Sequence, residues 1–288
     1  MIGFIRLMRP AQWTKNLIVF AGLLFSANLL NTHLLLRSAL TFAVFCVLSG
    51  SMYILNDLLD IGHDIHHPLK SKRPLPLGTV SPAHARIAIP VLILFALIAS
   101  WVLEPRLIIV VGTYAGVMSA YSFWLKRFPI LDVLVVSFGL LLRALAGTVV
   151  ISVEVSLWLF VCTILLALYL ALCKRRHELL TLDEVAMKHR EVLGDYTDKL
   201  LDQMIAIVTA STLIAYALYT ISPETVAKFH TRNLVLTFPI VLYGIFRYLY
   251  LVYRQRAGGA PERLLFSDRP LLFTVLLWFG AVYIILYV

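Results

Sequence analysis

Charge is scarce in this sequence: 14% of its 288 residues are Asp, Glu, Lys or Arg, against 60% hydrophobic ones. A water-soluble domain is nearer one quarter charged and one half apolar, so composition alone excludes a free-standing soluble fold. Cysteine is scarcer still. Cys46, Cys162 and Cys173 all lie inside apolar runs, with neither a CxxC pair nor a Cys/His zinc spacing, and read as small buried hydrophobes. No Ser-His-Asp or cysteine nucleophile set stands out, and there is no low-complexity tract or convincing repeat. The opening "MIGFIRLMRPAQWTKN" has no small-residue cleavage site after an isolated apolar core, so no cleaved signal peptide is expected.

What the chain does have is long apolar runs, and its mean hydropathy is +0.87. A bilayer core takes roughly 20 apolar helical residues, and about nine segments qualify. They are 16–33, 36–56, 85–103, 106–125, 130–151, 157–175, 201–221, 234–253 and 271–288. Backbone exposed to lipid must satisfy its own hydrogen bonds, so these segments are expected to be helices and the fold all-α. Basic residues fill alternate loops: Arg6, Arg9 and Lys15; Lys70, Lys72 and Arg73; Lys126 and Arg127; Lys174 to Arg176; and Arg254 to Arg269. The other loops hold only Arg37, Arg106, Lys228 and Arg232. The positive-inside rule then predicts a cytoplasmic N-terminus, and an odd number of spans puts the C-terminus outside. The net charge of +9 reads as this topology signal, not as a nucleic-acid surface.

The cytoplasmic loops carry both signs of charge, more than orientation requires. Residues 55–78 read "LNDLLDIGHDIHHPLKSKRPLPLG". At helical spacing Asn56, Asp60 and Asp64 run down one face, and Asp57 lies one turn before Asp60. Such a column repels itself unless a cation neutralises it, and oxygen ligands suit a hard divalent ion, Mg²⁺ or Mn²⁺. His63, His66 and His67 raise the question of zinc, but not at a zinc spacing. A solvated helix end is the plain alternative. It leaves unexplained the bases that follow at once, Lys70, Lys72 and Arg73, a natural phosphate-binding set. Acids for a metal beside bases for phosphate suit a diphosphate substrate. Pro68, Pro74, Pro76 and Gly78 make the loop stiff and non-helical.

The stretch "NDLLDIGHDIHHPLKSKRPLPLG" resembles the NDxxDxxxD signature and following basic loop of the UbiA superfamily of intramembrane prenyltransferases. That resemblance implies a nine-helix bundle with a cytoplasmic active site. Further stretches, "RPAQWTKNLIVFAGLLF", "YSFWLKRFPILDVLVVSFGLLLRALAGTVV", "LALCKRRHEL" and "LLFSDRPLLFTVLLW", resemble one branch, the bacterial decaprenyl-phosphate phosphoribosyltransferases. The branch implies phosphoribosyl pyrophosphate as water-soluble donor, a polyprenyl monophosphate as acceptor, Mg²⁺ as cofactor and a bacterial inner membrane as location. It further implies one integral-membrane domain over 1–288, with active-site loops at about 57–84 and 174–200. A homo-oligomer is left open.

On that resemblance Asp57, Asp60 and Asp64 are the expected catalytic acids, and Asn56, Asp60 and Asp64 the metal ligands. Lys15, Tyr53, Lys70 and Arg73 are expected on the donor, and Lys126, Arg143 and Arg175 on the lipid phosphate. Each base has a plainer reading. Lys126 ends a span as a topology anchor would, and Lys15 can snorkel at the interface. Tyr53 can simply pack. Arg143 lies inside an apolar segment, where an unpaired charge is costly, and is expected either on a phosphate or paired with Asp132. Asp198 and Asp202 form either a second acidic site or, with Asp195, a helix N-terminal turn that complements the dipole.

An aromatic or quinone-type prenyltransferase consuming a prenyl diphosphate is the main alternative. A transporter is the rival from another class, but its charged site would lie near the midplane, where only Arg143 is a candidate.

Overall fold

A computed structural model of the chain describes residues 2–65, 70–154, 157–181, 191–255 and 258–288. The expected contributions of His66, His67 and Pro68, and of residues 182–190, lie outside the described residues. The described residues contain helices and no strand. They are α1 Ile2–Leu7, a 3-10 helix Pro10–Phe20, α2 Ala21–Leu24, α3 Thr32–Leu59, α4 Ile61–Asp64, α5 Pro82–Leu103, α6 Leu107–Phe123 and α7 Leu131–Val150. After these come α8 Leu157–Thr181, α9 Asp198–Ile221, α10 Pro223–Phe229, α11 Phe238–Arg254, α12 Pro261–Ser267 and α13 Arg269–Tyr287. Two compact units result, one of residues 1–155 with 184–192, the other of 156–183 with 193–288.

Among the described residues, six helical stretches are long and apolar enough to cross a membrane: Thr32–Leu59, Pro82–Leu103, Leu131–Val150, Asp198–Ile221, Asn233–Arg254 and Arg269–Tyr287. α6 is apolar but shorter. The expected segments 16–33 and 157–175 are not among the six. The first departs for a local reason. Pro10 starts a 3-10 helix six residues early, and helix ends at Leu24. Beyond it Ser26 and Asn28 turn the chain through their own hydrogen bonds, with Ala27 at a φ of 57°.

In the first unit, α3 packs on α5 and on the 3-10 helix, and α7 on α6 and the same 3-10 helix. The core between them includes Val19, Leu23, Phe45, Leu48, Leu107, Val111, Tyr114, Ala146 and Val150. Gly147 permits the closest approach: a Cβ there would stand 1.9 Å from the Val19 carbonyl oxygen. α5 is apolar on every side, and Val91, Leu94, Phe95, Ile98 and Trp101 are exposed, as a lipid-facing helix requires. Asn31 caps α3 by accepting from the His33 and Leu34 amides, and Ser81 caps α5 ahead of Pro82. Away from the acidic motif, Arg37 ties the two helices together through Glu104 at 3.2 Å. In the second unit, α8 packs on α9 and α11 on α13.

Candidate active site

α3 ends at Leu59, Asp60 is its C-cap, and α4 carries the chain one further turn to Asp64. The expected column of Asn56, Asp60 and Asp64 falls into two groups. In the first, the Asn56 amide donates to Asp60 Oδ2 at 2.9 Å, and Lys126 Nζ reaches Asp60 Oδ1 at 2.6 Å and Asn56 Oδ1 at 3.5 Å. In the second, Arg73 Nη1 donates to Asp57 Oδ1 at 3.0 Å and to Asp64 Oδ2 at 2.6 Å. Asp64 therefore stands with Asp57, seven residues earlier, and not with Asn56. Lys70 lies 3.8 Å from Asp64 Oδ1, and Arg9 pairs with Asp57.

Each base is brought in by its own local structure. Leu75 is buried with Leu7, Ile54, Val80 and Ala85, which pins the proline loop so that Arg73 faces the acids. From Lys70 onward the loop is non-helical as expected, apart from the 3-10 turn Lys70–Lys72, and Gly78 takes a φ of 70°. Lys126 sits in a second short turn, Leu125–Arg127, between α6 and α7. Arg9 precedes Pro10 at φ 53°, a left-handed conformation costly for a side-chain-bearing residue, and its guanidinium lies 5.1 Å from the Tyr53 ring.

Asp57 and Asp64 are 1% and 2% exposed, whereas Asp60 keeps 28%. Burying two carboxylates is tolerable only with compensation, and Arg9, Lys70 and Arg73 supply it. The donors suit a hard cation in type: three carboxylates and an amide oxygen on neighbouring turns. Among the described residues, however, no three His, Cys, Asp or Glu side chains gather around one point that could hold a metal. The bases occupy the spaces between the acids, so an ion using Asp60 would displace Lys126.

Arg143 does not pair with Asp132. Both are on α7, eleven residues or about 16 Å apart along the axis. Its partners are neutral: Asn16 Oδ1 at 2.6 Å from Nε, the Gly139 carbonyl at 2.9 Å from Nη1 and the Tyr114 hydroxyl at 2.6 Å from Nη2. Lys15 lies on the 3-10 helix one residue before Asn16.

In the second unit Arg175 is buried and pairs with Glu178 at 2.5 Å. Asp202 accepts from Arg176 Nε at 2.6 Å and from the Tyr253 hydroxyl at 2.7 Å, with the Arg176 guanidinium 3.9 Å from that ring's centre. Asp198 is exposed in the first turn of α9, behind the Thr197 cap, the position at which an acid complements the helix dipole.

Residues 16–273 match the UbiA prenyltransferase family. The chain belongs to that family. It is 30% identical to the decaprenyl-phosphate phosphoribosyltransferase of Mycolicibacterium smegmatis, over 97% of this chain and 91% of the relative. The enzyme of the same name from Corynebacterium glutamicum is 29% identical, over 99% and 87%. Among solved structures, the UbiA homolog from Archaeoglobus fulgidus bound to GPP and Mg²⁺ superimposes with a TM-score of 0.74. That match covers 99% of this chain and all of the other at 17% identity, and it establishes the UbiA fold.

Within this UbiA chain the residue that sequence reasoning missed is Arg9. As a sequence feature it was one topology-setting base among several, and the signal that singles it out is its strained backbone beside Asp57. Asn16 and Tyr114 were missed for a similar reason. A neutral side chain inside an apolar run gives no local sign that it holds a buried arginine.

Proposed function

We propose that the chain transfers 5-phosphoribose from phosphoribosyl pyrophosphate to a polyprenyl phosphate of the decaprenyl type, releasing pyrophosphate. The observation that carries this reading is near-full-length similarity to relatives named decaprenyl-phosphate phosphoribosyltransferase. The geometry supports it. Around Asp57, Asp60 and Asp64 stand four bases, Arg9, Lys70, Arg73 and Lys126, a surplus suited to substrates that are themselves polyanions.

In this reading the bond from ribose C1 to the pyrophosphate oxygen breaks, positive charge builds at C1, and a phosphate oxygen of the acceptor forms the new bond from the opposite face. A phosphate monoester is already anionic near neutral pH, its second pKa being about 6, so no side chain has to remove a proton. The task of the protein is therefore to bind and align anions. Lys70, Arg73, Tyr53 and Lys15 are assigned to the donor, with Arg9 added to them, and Lys126 and Arg143 to the acceptor phosphate. Asn56, Asp60 and Asp64, with Asp57, are the side chains that would hold Mg²⁺ or Mn²⁺, which when bound neutralises the leaving pyrophosphate. The chain is read as one membrane domain of a bacterial inner membrane, with the acidic motif on the cytoplasmic side as the positive-inside rule requires.

The test is a membrane-fraction assay with radiolabelled phosphoribosyl pyrophosphate, polyprenyl phosphate and Mg²⁺, run beside Asp60→Ala. Label should enter the lipid phase only with Mg²⁺ and intact Asp60. Consumption of a prenyl diphosphate with an aromatic acceptor, and no labelled lipid, would replace this reading with the ordinary prenyltransferase one.

A further inference from the structure

Arg143 is a cation in the interior of a membrane-spanning helix, 6% exposed, and the partners found for it among the described residues are all neutral. The helix carries it past Asp132 without contact, and among the described residues no carboxylate replaces that acid. A guanidinium has five N–H donors. Three are spent on Asn16, Gly139 and Tyr114, which leaves one on each terminal nitrogen. Donors on the two terminal nitrogens belong to the guanidinium fork, which can meet two oxygens of one phosphate.

The surroundings hold that fork in place. Asn16 is fully buried, and its amide is fixed by Ser49 Oγ at 3.3 Å and Cys46 Sγ at 3.4 Å. Tyr114 is fully buried, packs edge-on against Phe45 at 5.4 Å and presents its ring to the Arg143 guanidinium, 4.8 Å from the ring centre. An arginine kept only for packing would be better served by a carboxylate at position 16, since an uncompensated charge at this depth is costly.

We infer that Arg143, oriented by Asn16 and Tyr114, forms an anion subsite of the first unit that takes a phosphate monoester, with Asn16 and Tyr114 as positioning residues. This rests on the phosphoribosyl-transfer reading, in which two substrates carry such a group: the acceptor lipid and the donor's 5-phosphate. Neutrality at position 16 is the specific requirement. A carboxylate there would occupy the guanidinium and shut the phosphate out.

Asn16→Asp therefore tests it, because it supplies an isosteric counterion instead of a cavity. Dissociation constants would be measured on detergent-purified full-length protein for a polyprenyl phosphate and, separately, for phosphoribosyl pyrophosphate. One ligand should bind at least tenfold more weakly to Asn16→Asp and the other within twofold of wild type. The affected ligand identifies the phosphate. Loss of neither, or equal loss of both, would overturn the subsite. Should Asn16→Asp not fold, Tyr114→Phe removes one acceptor with the ring kept, and about fivefold weakening of one ligand alone is expected. The transfer reading fails separately: wild-type protein that binds polyprenyl phosphate, loses it in Asn16→Asp, and moves no label from the donor would keep the subsite and refute the reaction.

Discussion

Asp57 and Asp64, two helical turns apart, face the same guanidinium, that of Arg73. The relationship makes the loop after α4 part of the site. Without Arg73, two buried carboxylates would be left to Arg9 and Lys70 alone.

Arg73→Met is accordingly expected to destabilise the protein. Breaking a fully buried pair costs roughly 3–5 kcal/mol, and about 2 kcal/mol is expected here because Arg73 is partly exposed and two other bases remain. Thermal unfolding in detergent reads this, and adding Asp64→Asn to the same protein should recover part of the loss. An unchanged unfolding temperature for Arg73→Met would mean that Arg9 and Lys70 suffice.

Lys126 and a divalent cation draw on the same carboxylate, Asp60. Lys126→Met should tighten Mn²⁺ binding about tenfold, equivalent to about 1.4 kcal/mol, while label transfer falls by about 10²-fold or more as a stabilising charge is lost. Chelation of the metal should abolish transfer in both proteins. Weaker Mn²⁺ binding in Lys126→Met would instead make the lysine an orienting group for Asp60.

Gly147 and Gly112 give a steric contrast. Gly147→Ala drives a Cβ into the Val19 carbonyl, where the neighbour is backbone and cannot swing aside, so a loss of about 2–3 kcal/mol is expected. Gly112→Ala meets no atom within 4 Å, and by helix propensity should be neutral or stabilising by up to about 1 kcal/mol. Unfolding temperatures of the two variants should move in opposite directions from wild type, or Gly112→Ala should not move at all.

Asp268 caps α13 by accepting from the Leu271 amide at 2.9 Å and pairs with Arg247 at 2.7 Å. Hydrogen bonding from Arg247, then the Leu271 amide and the guanidinium charge, outweigh burial and lower the Asp268 carboxyl below its ordinary value. A depressed carboxylate contributes stability that is present above the unfolded pKa, about 3.9, and is lost as pH falls through the folded one. The difference in unfolding temperature between wild type and Asp268→Asn should thus stay constant from about pH 7 to 5 and close only in stronger acid. A difference that vanishes already at about pH 5 would contradict the lowered value.

The helical, membrane-spanning class was legible because hydropathy over a window of residues is a local property, whereas the caps Asn31 and Ser81 start α3 and α5 earlier than the expected 36 and 85, since polar first turns carry no hydropathy signal. The acidic motif and the bases that follow it were legible for the same reason, since Asn56 to Arg73 is one short stretch. The pairing inside the motif was not. Asp57 and Asp64 are i and i+7 on nearly one helical face, but the base that joins them was chosen by the loop that returns Arg73 to both, and not by the spacing of the acids.

Chemistry written along a few turns of chain was therefore determined by the sequence: which acids, which bases, which apolar runs. Contacts that close large loops were decided by the tertiary structure alone. Arg9 reaches Asp57 across 48 residues, and Arg143 reaches Asn16 across 127. At such separations the partner is chosen by how helices pack in space, with Gly147 letting the 3-10 helix approach α7 closely enough for Asn16 to meet Arg143, and no pattern within either segment specifies it.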